Sequence, residues 1–226
     1  KGRQQCSAFF HYVTSMIYWI KTHWIVTKIF SKYIWSKKQN EKVVYLTFDD
    51  GPTPQITDWV LQQLQQYRAM ATFFCIGKNI QEQPDIFQRL LKSGNAIGNH
   101  TQNHVNGWRS STKDYLENID KCEIAIGDLA NQEQKYFRPP YGKITPSQAT
   151  AILQKGYKIV MWDVLSADFD QTITAGKCLE NVLKNVKSGS IIIFHDSEKA
   201  WQNLQYTLPK VLQFLKENDY KCKLLD

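Results

Sequence analysis

From residue 40 onward, apolar and polar positions alternate in blocks, with no repeat, low-complexity tract or linker between them. Val43–Phe48 (VVYLTF) is a short β-prone apolar run and predicts a buried strand. It stops at two adjacent carboxylates, Asp49 and Asp50, followed by Gly51-Pro52. Thr53-Pro54 predicts a helix start, because threonine caps and proline suits the first helical position. Trp59, Val60, Leu61 and Leu64 form the apolar face of that helix. Ala71–Ile76 (ATFFCI) predicts a second strand, Pro84–Ser93 a helix closed by Gly94, and Ala96–Gly98 a short third strand. A long helix is expected from Ser111 to about Leu129, then a strand stub at Tyr136-Phe137. Thr145-Pro146 opens another helix that stops near Gly156. Tyr157–Val164 reads as a strand, Thr174–Lys187 as a helix and Ser190–Phe194 as a strongly apolar strand. A last helix, Gln205–Asn218, precedes a final strand, Tyr220–Leu225.

Strictly alternating units of this kind imply a parallel sheet covered by helices, an α/β fold. Roughly seven units point to a closed or nearly closed (β/α) barrel of about seven parallel strands. An open doubly wound sheet is the alternative that periodicity leaves standing.

Charge divides the chain. The 226 residues carry a formal net charge of +7, and Lys1–Lys38 holds seven Lys or Arg and no acid. The remainder is balanced, which argues against a nucleic-acid groove in the main domain. Residues 1–40 therefore stand apart as an aromatic, basic segment, and 41–226 form the main domain. Ala8–Ile20 is uncharged apart from His11 but too short to span a bilayer. Lys1 and Arg3 flank it as they would a signal peptide, yet no A-x-A-like cleavage site follows, and Met16 offers an alternative start. Two other readings are an interfacial helix resting on a membrane surface and packing of Trp19, Trp24, Ile25, Ile29 and Tyr33 on the main domain. The compartment stays open between cytoplasm and cell envelope. Five widely spaced cysteines, Cys6, Cys75, Cys122, Cys178 and Cys222, include no C-x-x-C pair. They read as buried free thiols in a reducing compartment rather than a zinc or disulfide framework.

Chemistry in such folds collects just past the C-terminal ends of the strands. Those positions hold Asp49 and Asp50, then His100 and His104 (GNHTQNH), Arg138 (RPPYG), Asp163 and Asp168 (WDVLSADFD), and His195 (FHDS). His100 and His104 lie four apart, so a helical turn would place both imidazoles on one side. With Asp50 they make a two-histidine, one-carboxylate set, which suits Zn²⁺ acting on water and also Fe(II). Asp49 is then free to accept a proton, with Arg138 forking onto it to hold it ionised. A carboxylate among Asp168, Asp163 and Asp196 would orient His195 and raise its pKa, making it an acid. There is no G-x-S-x-G elbow and no P-loop.

TFDDGP, HTQNH, RPPYG, the WDVLSADF region and IIIFHD occur in that order. Together they resemble the five motifs of polysaccharide deacetylases of the NodB-homology type, carbohydrate esterase family 4, over about Val43 to Leu225. The resemblance implies an irregular (β/α) barrel for 41–226 and a metal-dependent hydrolase that removes acetyl groups from N-acetylglucosamine units of an acetylated glycan. It implies Asp49 as base and Asp50, His100 and His104 as ligands of a divalent metal, usually Zn²⁺, with Co²⁺ or Ni²⁺ as alternatives. Arg138 would position Asp49, the Tyr141 backbone N–H would bind the oxyanion, and Asp168 would orient His195 as the acid. Ile193, Phe169 and Pro140 would shape the acetyl pocket. Phe169 stands where the family usually has Trp, and Leu165 replaces a commonly polar position, two departures that bear on the pocket's shape. Trp108, Trp162, Phe169 and Trp201 are candidate sugar-stacking surfaces. O-acetyl xylan esterase, sugar deformylase and other amide hydrolases fall within the same resemblance. A non-catalytic glycan-binding protein would require a missing base, ligand or acid, and none is missing.

Overall fold

The computed structural model describes residues 18–127 and 134–225. Lys1, Arg3, Cys6, His11, Met16, most of the Ala8–Ile20 run and the expected helix end at Leu129 lie outside the described residues.

Among the described residues the strands are β1 (Val43–Asp49), β2 (Ala71–Cys75), β3 (Ala96–Asn99), β4 (Lys135–Phe137), β5 (Tyr157–Ile159), β6 (Val164–Leu165), β7 (Ile191–His195) and β8 (Lys221–Cys222). The helices are α1 (Trp24–Ile29), α2 (Ile56–Tyr67), α3 (Gly77–Glu82), α4 (Pro84–Lys92), α5 (Thr112–Ile126), α6 (Pro146–Gln154), α7 (Ala175–Leu183) and α8 (Trp201–Glu217). All named strand pairs are parallel, in the order β5-β4-β3-β2-β1-β7-β6, with β8 beside the start of β1. The sheet curls into an irregular (β/α) barrel, the expected α/β class, with β1 between β2 and β7.

Side-chain alternation along the strands gives the sheet two different faces. Val44, Leu46 and Phe48 of β1, Phe73 of β2, Ile97 of β3 and Ile192 and Phe194 of β7 pack under α2, α4 and α8. The Phe48 ring stacks at 5.0 Å on Phe73 and 5.8 Å on Phe194. The opposite parity, Val43, Tyr45, Phe74, Tyr136 and Ile191, fills the concave side of the curl. Continued upward, that parity reaches Asp49, His100, Arg138 and His195. The concave face is therefore apolar below and polar at its mouth.

Several elements differ from the sequence expectation. Helix α2 begins at Ile56 rather than at Thr53-Pro54, because Gln55 adopts a φ of 66° and the Thr53 N–H donates to the Thr57 hydroxyl at 2.8 Å. The run expected as one strand, Tyr157–Val164, is two strands, β5 and β6, at opposite ends of the sheet. Between them Val160 N–H bonds Phe137 O (2.9 Å), Met161 N–H bonds Ile34 O (2.7 Å) and Asp163 N–H bonds Ile191 O (3.2 Å). The chain thus steps across the gap while every one of those donors is satisfied.

Residues 20–22 and Ile34 cover that gap. Lys21 bridges Val164 antiparallel and Ile34 bridges Val160, so both sheet edges acquire a neighbour. Tyr33 packs on the core as expected, together with Ile34 and Trp35. Trp19, Trp24, Ile25 and Ile29 do not: they are exposed on and beside α1. Cys75, Cys122, Cys178 and Cys222 are free, and all but Cys222 are fully buried. Among the described residues no helix is long and apolar enough to cross a membrane.

Candidate active site

The mouth of the concave face answers why two carboxylates stand side by side. Asp49 points inward by parity, and Asp50 would point outward if the strand continued. Instead Asp50 takes a φ of 83°, which turns its carboxylate back into the same pocket. The turn beyond it is anchored from β7: Asp196 accepts the Gly51 N–H at 3.1 Å and the Thr57 hydroxyl at 2.6 Å. A Cβ at Gly51 would collide with the Asp196 carboxylate, so only glycine allows this approach.

His100 and His104 meet, but not on a helical turn. They sit in a loop where Thr101 and His104 have φ of 66° and 53°, and the Thr101 hydroxyl accepts the Val105 N–H at 3.0 Å. His100 Nδ1 bonds Arg138 O at 2.8 Å, and His104 Nδ1 bonds the Tyr141 hydroxyl at 3.1 Å. Both Nε2 atoms therefore face Asp50 Oδ1, at 3.7 and 3.3 Å. That oxygen is buried and has no hydrogen-bond partner. One ligand atom from each of the three side chains lies within 4.8 Å of the others. Burial, then the neighbouring His104, pushes His100 well below the ordinary histidine range, and burial lowers His104 against the pull of Asp50. Neutral imidazoles with outer nitrogens engaged, converging on an orphaned carboxylate oxygen, fit a divalent metal.

Asp49 lies beside this cluster, with Oδ2 at 3.7 Å from His100 Nε2. Its other oxygen accepts from Arg138 Nη1 at 2.7 Å. Arg138 is fully buried, not a surface ion pair, and it does not fork onto Asp49. Nη1 also donates to Thr47 Oγ1 (2.8 Å), Nε to Val160 O (3.2 Å) and Nη2 to Met161 O (2.9 Å), above the Phe74 ring at 4.1 Å. The guanidinium is spent on the barrel as much as on Asp49, which leaves Asp49 Oδ2 free. Thr47 was not singled out in the sequence, although its parity with Asp49 marks it.

On the other side His195 Nδ1 bonds Asp168 Oδ1 at 2.8 Å, and the His195 backbone N–H donates to Asp168 Oδ2 at 2.9 Å. Burial works against the imidazolium, but the Asp168 carboxylate outweighs it and raises His195 to about 9. The other two candidates serve elsewhere: Asp163 accepts from Lys21, Ser190 and Ile191, and Asp196 holds the Asp50 turn. Ile193 is buried with Leu165 and Ala167, and Phe169 packs against them. Pro140 is buried and Tyr141 exposed in the short turn after Arg138. Of the aromatic surfaces, Trp201 meets Trp59 edge-on at 5.1 Å, both part-buried against the core, Trp162 is part-buried, and Trp108 is exposed. An open groove of about 610 Å³ runs from Asp50 and His104 past Pro54, Asn79, Glu82 and Lys199.

A family model described as polysaccharide deacetylase matches residues 36–160. The chain belongs to the polysaccharide deacetylase family. This deacetylase is 37% identical over 188 residues to a peptidoglycan-N-acetylglucosamine deacetylase of Bacillus cereus, covering 83% of this chain and 88% of that one. It is 35% identical over 172 residues to chitin deacetylase 2 of Saccharomyces cerevisiae, where it spans 74% of itself and 54% of the relative's length. Among solved structures, a peptidoglycan N-acetylglucosamine deacetylase in complex with 4-naphthalen-1-yl-N-oxidanyl-benzamide superposes with a TM-score of 0.82 at 32% identity, covering 90% of this chain and 95% of that one.

Proposed function

We propose that this deacetylase hydrolyses the acetamido group of N-acetylglucosamine units in a glycan, with Asp50, His100 and His104 holding a divalent ion, Zn²⁺ first among the candidates. The observation that carries the reading is the buried, unpartnered Asp50 Oδ1 between two Nε2 atoms, flanked by Asp49 and by His195. N-acetylglucosamine is common to peptidoglycan and chitin, the glycans in the names of the relatives.

A divalent ion in this site would supply Lewis acidity, polarising the acetyl carbonyl and making water easier to deprotonate. Asp49 takes the proton of the attacking water through Oδ2, the oxygen that Arg138 leaves free. The Tyr141 backbone N–H donates to the carbonyl oxygen as negative charge builds on it. His195 carries its Nδ1 proton towards Asp168, so its Nε2 proton is the one given to the departing amine. With a pKa raised to about 9, His195 is protonated at neutral pH and has a proton to give. Acetate and a free amine are the products. Ile193, Phe169 and Pro140 enclose the methyl group, and the open groove admits neighbouring sugars of a polymer.

The test is acetate release from chitin oligomers and peptidoglycan, with zinc content measured on the same samples. Asp49→Asn is expected to lose about 10²–10⁴-fold in turnover while retaining the metal. An Asp49→Asn enzyme as fast as wild type would remove the assigned base.

We further propose that the exposed face of α1 rests on an anionic lipid surface. Trp24 and Ile29 are 59% and 68% exposed, Lys28 and Lys32 lie among them, and no acid occurs before residue 39. Co-sedimentation with phosphatidylglycerol vesicles, weakened in a Trp24→Ser, Ile29→Ser double variant and absent with phosphatidylcholine, is the expected result. Equal binding by the double variant would overturn it.

A further inference from the structure

Phe169 follows the aspartate that orients His195, and its ring meets the imidazole edge-on at 5.1 Å between centroids. Its backbone is fixed on both sides, because the Asn203 amide of α8 donates to Asp168 O at 3.0 Å and to Asp170 O at 3.2 Å. Its ring is held from a remote part of the chain. Tyr18 packs against it at 5.6 Å with an interplanar angle of 66°, and the Tyr18 hydroxyl donates to Asp170 Oδ2 at 2.6 Å. Asp170 is itself locked, since the Thr172 N–H (2.9 Å) and hydroxyl (2.6 Å) both donate to its Oδ1.

The residues after Tyr18 continue the same wall. Ile20 packs with Leu165, Ala167 and Ile193, and its carbonyl accepts the Leu165 N–H at 2.8 Å. Lys21 donates to buried Asp163 at 2.6 Å, and the Thr22 hydroxyl to Trp162 O at 2.7 Å. Residues 18–22 thus complete one side of the apolar cluster next to His195, although the family match begins only at residue 36.

We propose that Tyr18 is a positioning residue that sets the size of the acyl pocket through Phe169. Its hydroxyl is tethered to Asp170, and its ring pins the Phe169 ring against His195. A phenyl group turns about two torsions, and edge-on contacts on two sides leave it one resting place. Without the Tyr18 ring, Phe169 swings into the vacated space and the pocket lengthens. A pocket that fits a methyl group discriminates against one more methylene by about tenfold or more, so its relaxation is readable as acyl selectivity. This inference rests on the deacetylation proposed above.

The experiment compares the full chain with Tyr18→Ala and Tyr18→Phe by two readouts. One is the NMR position of the His195 ring protons, which feel the ring current of Phe169. The other is the ratio of kcat/KM for N-propionyl and N-acetyl chitotetraose. Tyr18→Ala is expected to move the His195 resonances and raise the propionyl-to-acetyl ratio about tenfold. Tyr18→Phe keeps the ring, loses the tether and shifts the ratio in the same direction by less; it carries the test alone if Tyr18→Ala does not fold. Unchanged resonances, or an unchanged ratio in a folded, active variant, overturn the role of Tyr18 and leave the deacetylation reading intact. A wild-type chain that releases no acetate sinks that reading, and the acyl pocket with it.

Discussion

At the scale of single residues, the site depends on which atoms neighbours leave free. Asp49 keeps Oδ2 free because Arg138 gives the carboxylate only Nη1, which it shares with Thr47, and commits Nε and Nη2 to Val160 and Met161. His195 holds its proton because Asp168 overcomes the cost of burial. Its folded pKa of about 9 lies above the ordinary 6.5, so the charged pair contributes stability fully below about pH 6.5 and loses it as pH rises through 9. The rate of deacetylation is expected to fall above pH 9 for the same reason. In Asp168→Asn burial is opposed only by the charges of Asp50 and Asp49, so the alkaline limb of the kcat/KM profile should move to lower pH. A limb that stays in place would show that another group sets it. Residue types and spacing made Asp49, Asp50, His100, His104 and His195 legible in the sequence. Thr47, Asn203 and Tyr18 were not, since a threonine in a strand, an asparagine on a helix and a tyrosine in an aromatic run have no local signature of a distant partner.

At the scale of elements, strand parity does much of the positioning. Asp49, His100, Arg138 and His195 continue the concave face of β1, β3, β4 and β7, so four strands deliver their side chains to one mouth. Two loops then do what regular structure cannot. The turn after β1 reverses Asp50, and the loop after β3 brings His104 beneath His100 through left-handed Thr101 and His104. A helical turn was expected there because four-residue spacing suits one, but the Thr101 hydroxyl fixes a tighter path by taking the Val105 N–H. Thr101→Val keeps the shape and removes that bond. Zinc affinity, measured by titration calorimetry, should fall about tenfold, with little change in melting temperature. Undiminished affinity would mean that the loop is held by its backbone alone. The single strand expected over Tyr157–Val164 failed for a related reason. An apolar run reads the same whether it stays in one strand or crosses from one sheet edge to the other.

At the scale of the whole molecule, residues 18–36 touch the barrel along both of its sheet edges. Residues 20–22 and 34 cover the two sheet edges, and Lys21 is the charged partner of buried Asp163. Lys21→Met leaves Asp163 only Ser190 and Ile191 as donors, and should cost about 2 kcal/mol of unfolding free energy, read from urea denaturation. A loss near zero would show that water replaces the lysine. The sequence by itself determined the α/β class, most of the alternation of strands and helices, and which polar residues stand at strand ends, because periodicity and residue type are local properties that survive in any packing. The tertiary structure alone decided that Asp168 rather than Asp163 or Asp196 faces His195, that Tyr157–Val164 splits, and that Tyr18 reaches Phe169. Those choices join residues up to 152 positions apart, and contact at that separation is set by how the sheet curls, which no short stretch of sequence encodes.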